Sequence, residues 1–150
     1  MIQIKSPDSV LAYAAFYFAE LLGIEKLDID VSIGYTEEEG LGGFAQDMGG
    51  DEYLVALNPT LTDPVDLFST LAHEMVHVSQ YVRGDLEDGR MGRVRWKRRF
   101  YKDAEAGTRA YYRLPWEREA YSLQGPMTMR LFRDKKFHEI LLTSRGEYAN

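Results

Sequence analysis

Five residues near the middle of the chain have the types and spacing to do chemistry: His73, Glu74, Met75, Val76 and His77. Residues four apart lie one turn apart on the same face of a helix, so both imidazoles can point at one ion. Glu74 follows the first histidine and flanks the same face, within reach of a water held there. That arrangement suits hydrolysis, because a bound zinc lowers the pKa of its water towards about 7 and a carboxylate can take the proton. A catalytic zinc needs a third protein ligand and one position left open. The remaining histidine, His138, is 61 residues beyond His77, and the residue six past His77 is Arg83 rather than a histidine. Carboxylates are the better candidates for the third place, and Glu117 and Glu119 stand out.

The histidine pair has to sit on a helix, and the flanking residues supply one. Asp63 suits an N-cap, Pro64 the first helical position and Asp66 the third. Leu67, Leu71, Val78 and Tyr81 can form its apolar face, and Gly84 supplies a stop after about Arg83. Downstream, Pro115 opens a helix carrying Trp116 to Ala120. Gly125-Pro126 is expected to kink or break it, and an amphipathic stretch over 127–142 reads as a last helix. Upstream, Ser6-Pro7 reads as the cap and first position of a helix that Gly23 ends. Val10, Leu11, Ala14, Tyr17, Phe18, Leu21 and Leu22 recur there at helical spacing.

Over 27–35 the period changes to two, with Leu27, Ile29, Val31, Ile33 and Tyr35 alternating against polar residues or glycine, as in a half-buried strand. Glu37 to Gly40 reads as a solvated turn. Two further strands are expected over 42–46 and 53–57, joined by Asp47 to Asp51 and closed by Asn58-Pro59. Either could border a cleft and add an extended peptide as another strand. Between 85 and 114, Val94 and Trp96 alternate with Arg93, Arg95 and Lys97, which suggests one more strand with a basic outer face. The sum is an α+β fold: an N-terminal helix, a small and mostly antiparallel sheet, the motif helix, then C-terminal helices.

At this point the residues carry a resemblance. His73-Glu74-Met75-Val76-His77 followed by Trp116-Glu117-Arg118-Glu119-Ala120 looks like the gluzincins, the thermolysin-like zinc peptidases, whose third ligand is a glutamate on a later helix. Several of those families carry it as Glu-x-x-Ala followed by Asp, Asn or Glu. Glu117-x-x-Ala120-Tyr121 matches except in the last place, where Tyr121 replaces a residue that often orients a zinc histidine. The resemblance implies Glu117 as the third ligand, while Glu119, which directly precedes the alanine as the ligand does in the thermolysin pattern, remains a rival. Over about 53–124, Asn58-Pro59, Gln80 and Pro115-Trp116-Glu117 also resemble small phage and bacterial metallopeptidases. What is implied is a minimal zincin holding one zinc ion per chain: one sheet, an active-site helix and a ligand helix. Zinc peptidases usually add a tyrosine, histidine or arginine donor to the oxyanion; Tyr111 and Tyr112 precede the ligand helix, Tyr121 projects near it, and Tyr112 is the expected donor. Gln80 hydrogen-bonds across the helix end, lines the cleft or sits in solvent, and Trp116 is expected to clamp the ligand helix against the core.

Composition bounds the alternatives. The chain of 150 residues fits one domain. With no cysteine, disulfides, thiolate metal sites and cysteine nucleophiles are excluded. Met1 to Asp8 lacks the basic and apolar regions of an export signal, and the apolar run over 10–22 contains Glu20 and is too short to span a bilayer, so a cytoplasmic protein with no membrane association is expected. Net charge is −6, yet eight Lys or Arg stand against three Asp or Glu between Arg83 and Lys102. Arg93, Arg95, Lys97, Arg98, Arg99 and Lys102 there interleave with Trp96, Phe100 and Tyr101, a pattern that can hold single-stranded nucleic acid but equally forms a basic outer strand face. Three functions follow: an endopeptidase acting on protein or peptide, with Glu74 as general base and then proton donor; a regulatory or binding module on the same scaffold, related to phage or mobile-element biology; and a purely structural domain whose histidines pair by coincidence.

Overall fold

A computed structural model describes residues 4–6, 8–34, 42–89 and 91–144. Pro7, Tyr35 and the expected turn over 37–40 lie outside the described residues. Seven strands and five helices are described: β1 (Ile4–Lys5), α1 (Ser9–Leu22), β2 (Asp28–Ile33), β3 (Gly43–Gly49), β4 (Glu52–Leu57), α2 (Pro64–Val82), β5 (Leu86–Asp88), β6 (Arg93–Trp96), β7 (Arg99–Lys102), α3 (Arg109–Arg113), α4 (Pro115–Phe132) and α5 (Lys135–Thr143). The fold is α+β, as its pattern of periods indicates. No described helix is long and apolar enough to cross a membrane.

The strands form two sheets rather than one. The larger runs β1-β2-β4-β3; β1 and β4 flank β2 in parallel, and β3 pairs antiparallel with β4 at the edge. The smaller is the antiparallel meander β5-β6-β7, of which only the Val94–Trp96 alternation was legible. Its inner face carries Leu86 and Trp96, which cluster with Leu114 and Trp116 into a small second core. Trp116 thus anchors the start of α4 as expected, edge-on to Tyr101 at 5.6 Å. The β6–β7 turn places Lys97 and Arg98 at φ 47° and 70°, the two left-handed positions that a two-residue hairpin requires.

The main core lies between the larger sheet and α1, α2, α4 and α5, and is built from residues such as Phe18, Ile29, Val55, Leu57, Phe68, Leu71, Met75, Leu131 and Phe137. Helix α2 is its axis. Every residue from Leu71 to Gln80 is buried, the condition of a helix packed on all sides. Its start is as its sequence indicates: Asp63 accepts hydrogen bonds from the Val65 and Asp66 amides, with Pro64 in the first turn.

Three expectations are corrected. The first helix is capped by Asp8, whose side chain accepts from the Val10 and Leu11 amides; Ser6 instead accepts from the Asp8 amide. Gly125-Pro126 does not break α4, which runs unbroken from Pro115 to Phe132 with Pro126 inside it. Buried Met127 and Leu131 dock that half onto the core, and the packing outweighs the lost backbone hydrogen bond. The stretch over 127–142 is therefore not one helix. It divides at Arg133, and α5 restarts behind Asp134, whose carboxylate caps the Phe137 amide.

Candidate metal and active site

Because α2 is enclosed, the polar side chains it carries are enclosed too. His73, Glu74 and His77 are all buried, and a buried polar group without a partner is costly. Each imidazole solves this on one nitrogen. His73 Nδ1 lies 2.7 Å from Gln124 Oε1, and His77 Nδ1 lies 2.8 Å from Gln80 Oε1. The Gln80 orientation is fixed independently, since its Nε2 donates to the Trp116 carbonyl at 3.0 Å and to Glu119 Oε1 at 3.1 Å. Its oxygen therefore faces the histidine, and His77 donates from Nδ1. Gln80 is fully buried, so the solvated alternative for it is excluded.

With both Nδ1 atoms engaged, the two Nε2 atoms turn towards each other, 3.2 Å apart. Glu117, from the first turn of α4, reaches both. Its Oε1 lies 2.8 Å from His73 Nε2 and 3.2 Å from His77 Nε2, and its Oε2 lies 3.2 Å from the latter. Two ring nitrogens and a carboxylate, all buried, thus converge on one point, and something positive must sit among them. Without metal that is a proton on His77. Burial lowers the basicity of this imidazole, but the hydrogen bond and charge of Glu117 and the charge of Glu74 outweigh it and raise its pKa to about 9. Burial likewise raises Glu117, yet its hydrogen bonds to the two histidines prevail and hold it at about 2. The ligand atoms of His73, Glu74 and His77 all lie within 4.8 Å of one another. This buried group could hold a metal ion, with Glu117 closing it from the neighbouring helix.

Glu74 differs from Glu117 in having no hydrogen bond from any described residue, although it is only 5% exposed. Burial raises its pKa, and the two histidines oppose the shift. It faces a cleft with two halves. A cavity of about 240 Å³ on one side is lined by His77, Glu117, Tyr81 and the inner face of the smaller sheet. A cavity of about 130 Å³ on the other is lined by His73, Thr70, Tyr112, Tyr121 and Gln124. Gly43, Glu74, Ala106 and Tyr111 border both. Of the two strands considered for the cleft edge, β3 is the one that borders it; β4 lies inside the sheet. Gly43 must lack a side chain, because a Cβ there would stand 2.6 Å from the Ala56 carbonyl and 3.5 Å from Glu74 Cγ.

Tyr112 lines the His73 half of the cleft, about half exposed, its ring 5.4 Å from that of Tyr121. Tyr121 in turn stands edge-on to His73 at 4.5 Å. Where the family pattern has a carboxylate or amide, this chain packs an aromatic ring against the imidazole, and the hydrogen bond comes instead from Gln124, one turn further along α4. Tyr111, the alternative to Tyr112, borders both halves. Burial first, then the charge of Glu117 and its hydrogen bond, push its pKa well above the ordinary range, so it stays a proton donor.

The remaining candidates lie outside the cluster. Glu119 is held by Arg83 at 2.7 Å and by Gln80, which makes it the support of a histidine's partner. His138, on α5, pairs with the Phe132 carbonyl and lines neither half of the cleft. The basic segment forms β6, β7 and their turn; Arg93, Arg95, Phe100 and Lys102 share the face opposite Val94 and Trp96, with the Arg95 guanidinium 5.8 Å above an exposed Phe100 ring. No described protein family, no curated protein and no solved structure matches the chain.

Proposed function

We propose that the protein is a zinc-dependent peptidase of gluzincin type, with zinc held by His73, His77 and Glu117 and with Glu74 as the proton-transferring base. The observation that carries the reading is the convergence of two Nε2 atoms and a carboxylate whose other partners are already assigned. Tetrahedral zinc with bonds of about 2.0–2.1 Å sets its ligand atoms about 3.3 Å apart. The Nε2 to Nε2 separation of 3.2 Å and the His77 to Glu117 separation of 3.2 Å match that spacing, and the 2.8 Å contact of His73 is slightly shorter. A nitrogen and oxygen donor set without sulfur suits zinc.

When bound, zinc lowers the pKa of coordinated water and polarises a substrate carbonyl. The chain supplies the rest. Glu74, buried and without a hydrogen bond from the described residues, accepts a proton from the attacking water and passes it to the departing amine. Tyr111 and Tyr112, successive residues of α3 that line the cleft, offer hydroxyl donors to the developing oxyanion. The edge of β3 offers backbone groups to an extended peptide lying across Gly43.

The test is metal analysis of protein purified without chelator, joined to cleavage of an unfolded reporter protein mapped by mass spectrometry. About one zinc per chain is expected, with cleavage lost to chelator and restored by zinc. Glu74→Gln should keep the metal and lose at least roughly 100-fold in rate. A protein that takes up no zinc and is not stabilised by it would overturn the reading. Undiminished cleavage by the Glu74→Gln variant would overturn the role of Glu74.

A further inference from the structure

The two halves of the cleft differ in charge. On the His73 side, Glu74 is the only carboxylate among the lining residues, which are otherwise His73, tyrosines and small or amide residues. On the His77 side, Asp88 at the end of β5 and Asp103 just after β7 join Glu74 and Glu117, and no Lys or Arg lines the cavity. If His73, His77 and Glu117 are occupied by a divalent cation, Asp88 and Asp103 are still uncompensated. Among the described residues neither has a Lys or Arg within ion-pair distance.

Both aspartates are held in position. The Tyr81 hydroxyl donates to Asp88 Oδ1 at 2.9 Å, and the Ala104 amide donates to Asp103 Oδ1 at 2.9 Å, leaving the second oxygen of each for a ligand. The same cavity is lined by the apolar side chains of Phe44, Ala45, Leu86, Val94 and Trp116. Tyr81 follows His77 by one turn of α2, so the hydroxyl that holds Asp88 and the metal-binding imidazole rise from one face of that helix. An aliphatic stem ending in a cation fits such a wall and such an end. The carboxylate of Glu74, 5% exposed and with no hydrogen bond from the described residues, also faces this cavity, an unpartnered polar group on the floor of the cleft where a ligand can lie.

We infer that the His77 half of the cleft is a subsite for a lysine or arginine side chain of the substrate, recognised by Asp88 and Asp103. The inference rests on the peptidase reading for its substrate class, and its test separates the two. Zinc-loaded Glu74→Gln protein is immobilised and used to select from a library of acetylated, amidated random octapeptides, while zinc-loaded wild type is used to cleave the same library. Lys and Arg should be enriched at a single position relative to the bound or broken bond, roughly tenfold over Gln, and the double variant Asp88→Asn, Asp103→Asn should bring that ratio close to one. Asp103→Lys should turn the preference towards Asp and Glu. Enrichment spread evenly over all positions reports only attraction to a chain of net charge −6 and overturns the subsite, as does enrichment that survives the double variant. Absence of cleavage with position-specific selection intact would overturn the peptidase reading and leave the subsite standing. Cleavage without any Lys or Arg preference would do the reverse.

Discussion

His77 and Glu117 state their relation through their protons. Against the opposing effect of burial, the hydrogen bond of Glu117 and the charges of Glu74 and Glu117 raise the pKa of His77 from 6.5 to about 9, and the hydrogen bonds of His73 and His77 lower that of Glu117 from 4.5 to about 2. A raised imidazole contributes stability that is complete below 6.5 and is lost as pH rises through about 9; a depressed carboxylate contributes stability that is complete above 4.5 and is lost as pH falls through about 2. Metal-free protein is therefore expected to be most stable between about 4.5 and 6.5, and Glu117→Gln should flatten both limbs of a melting-temperature profile; a profile that still rises towards pH 9 would contradict the pairing. Metal must also displace the His77 proton, so uptake at pH 7 should release about one proton, measurable by calorimetry in buffers of different ionisation enthalpy. Much of this site was legible in the chain, because His73, Glu74, His77 and Glu117 carry their chemistry in residue type and spacing. Gln124 was not. Its place beside His73 is set by how α4 packs against α2, a long-range contact that no local pattern announces.

The continuation of α4 is an element-scale matter, and it shows where local rules yield. Gly125 and Pro126 are both poor helix residues, and read locally they end a helix. The buried Met127 and Leu131 on one side and Trp116 and Ala120 on the other keep it whole, an instance of packing overriding propensity. Gly125 has a φ outside the left-handed region, and beyond its chain neighbours an added Cβ would meet nothing within 4 Å, but the ring of Pro126 disfavours the helical region for a preceding residue that carries a Cβ. Gly125→Ala is therefore expected to fall short of the usual gain of about 0.5–1 kcal/mol in denaturant titrations, with zinc content unaltered; a full gain would mean that Pro126 imposes no strain on the residue before it. By contrast α2 was readable to within a residue, since cap, proline and apolar spacing agree. The smaller sheet was harder, because strands of three and four residues offer too few alternations to register. The two-residue β1 offers none, and its pairing with β2 is a long-range contact.

At the scale of the molecule, the site joins the two central helices. His73 and His77 belong to α2, and Glu117 and Gln124 to α4. Zinc at one hundred times its dissociation constant would add about 2.7 kcal/mol to folding stability, which for a chain of this size is a rise of roughly 5–10 °C in melting temperature. Scanning calorimetry with and without chelator checks this, and a melting temperature indifferent to zinc would count against the site. The net charge of the whole chain was readable, but not the segregation of Asp88 and Asp103 into one half of the cleft, because the meander that gathers them was only partly visible. The same connection has a topological consequence. His77 and Glu117 are 40 residues apart, and the segment between them contains the entire smaller sheet. An ion bound by both would close that segment into a ring, as a cross-link does, at a loop-closure value of about 4 kcal/mol. The wall of the cleft would then be fastened by the very ion it encloses, in addition to the cluster of Leu86, Trp96, Leu114 and Trp116 and the bond from Tyr81 to Asp88 that hold it without metal.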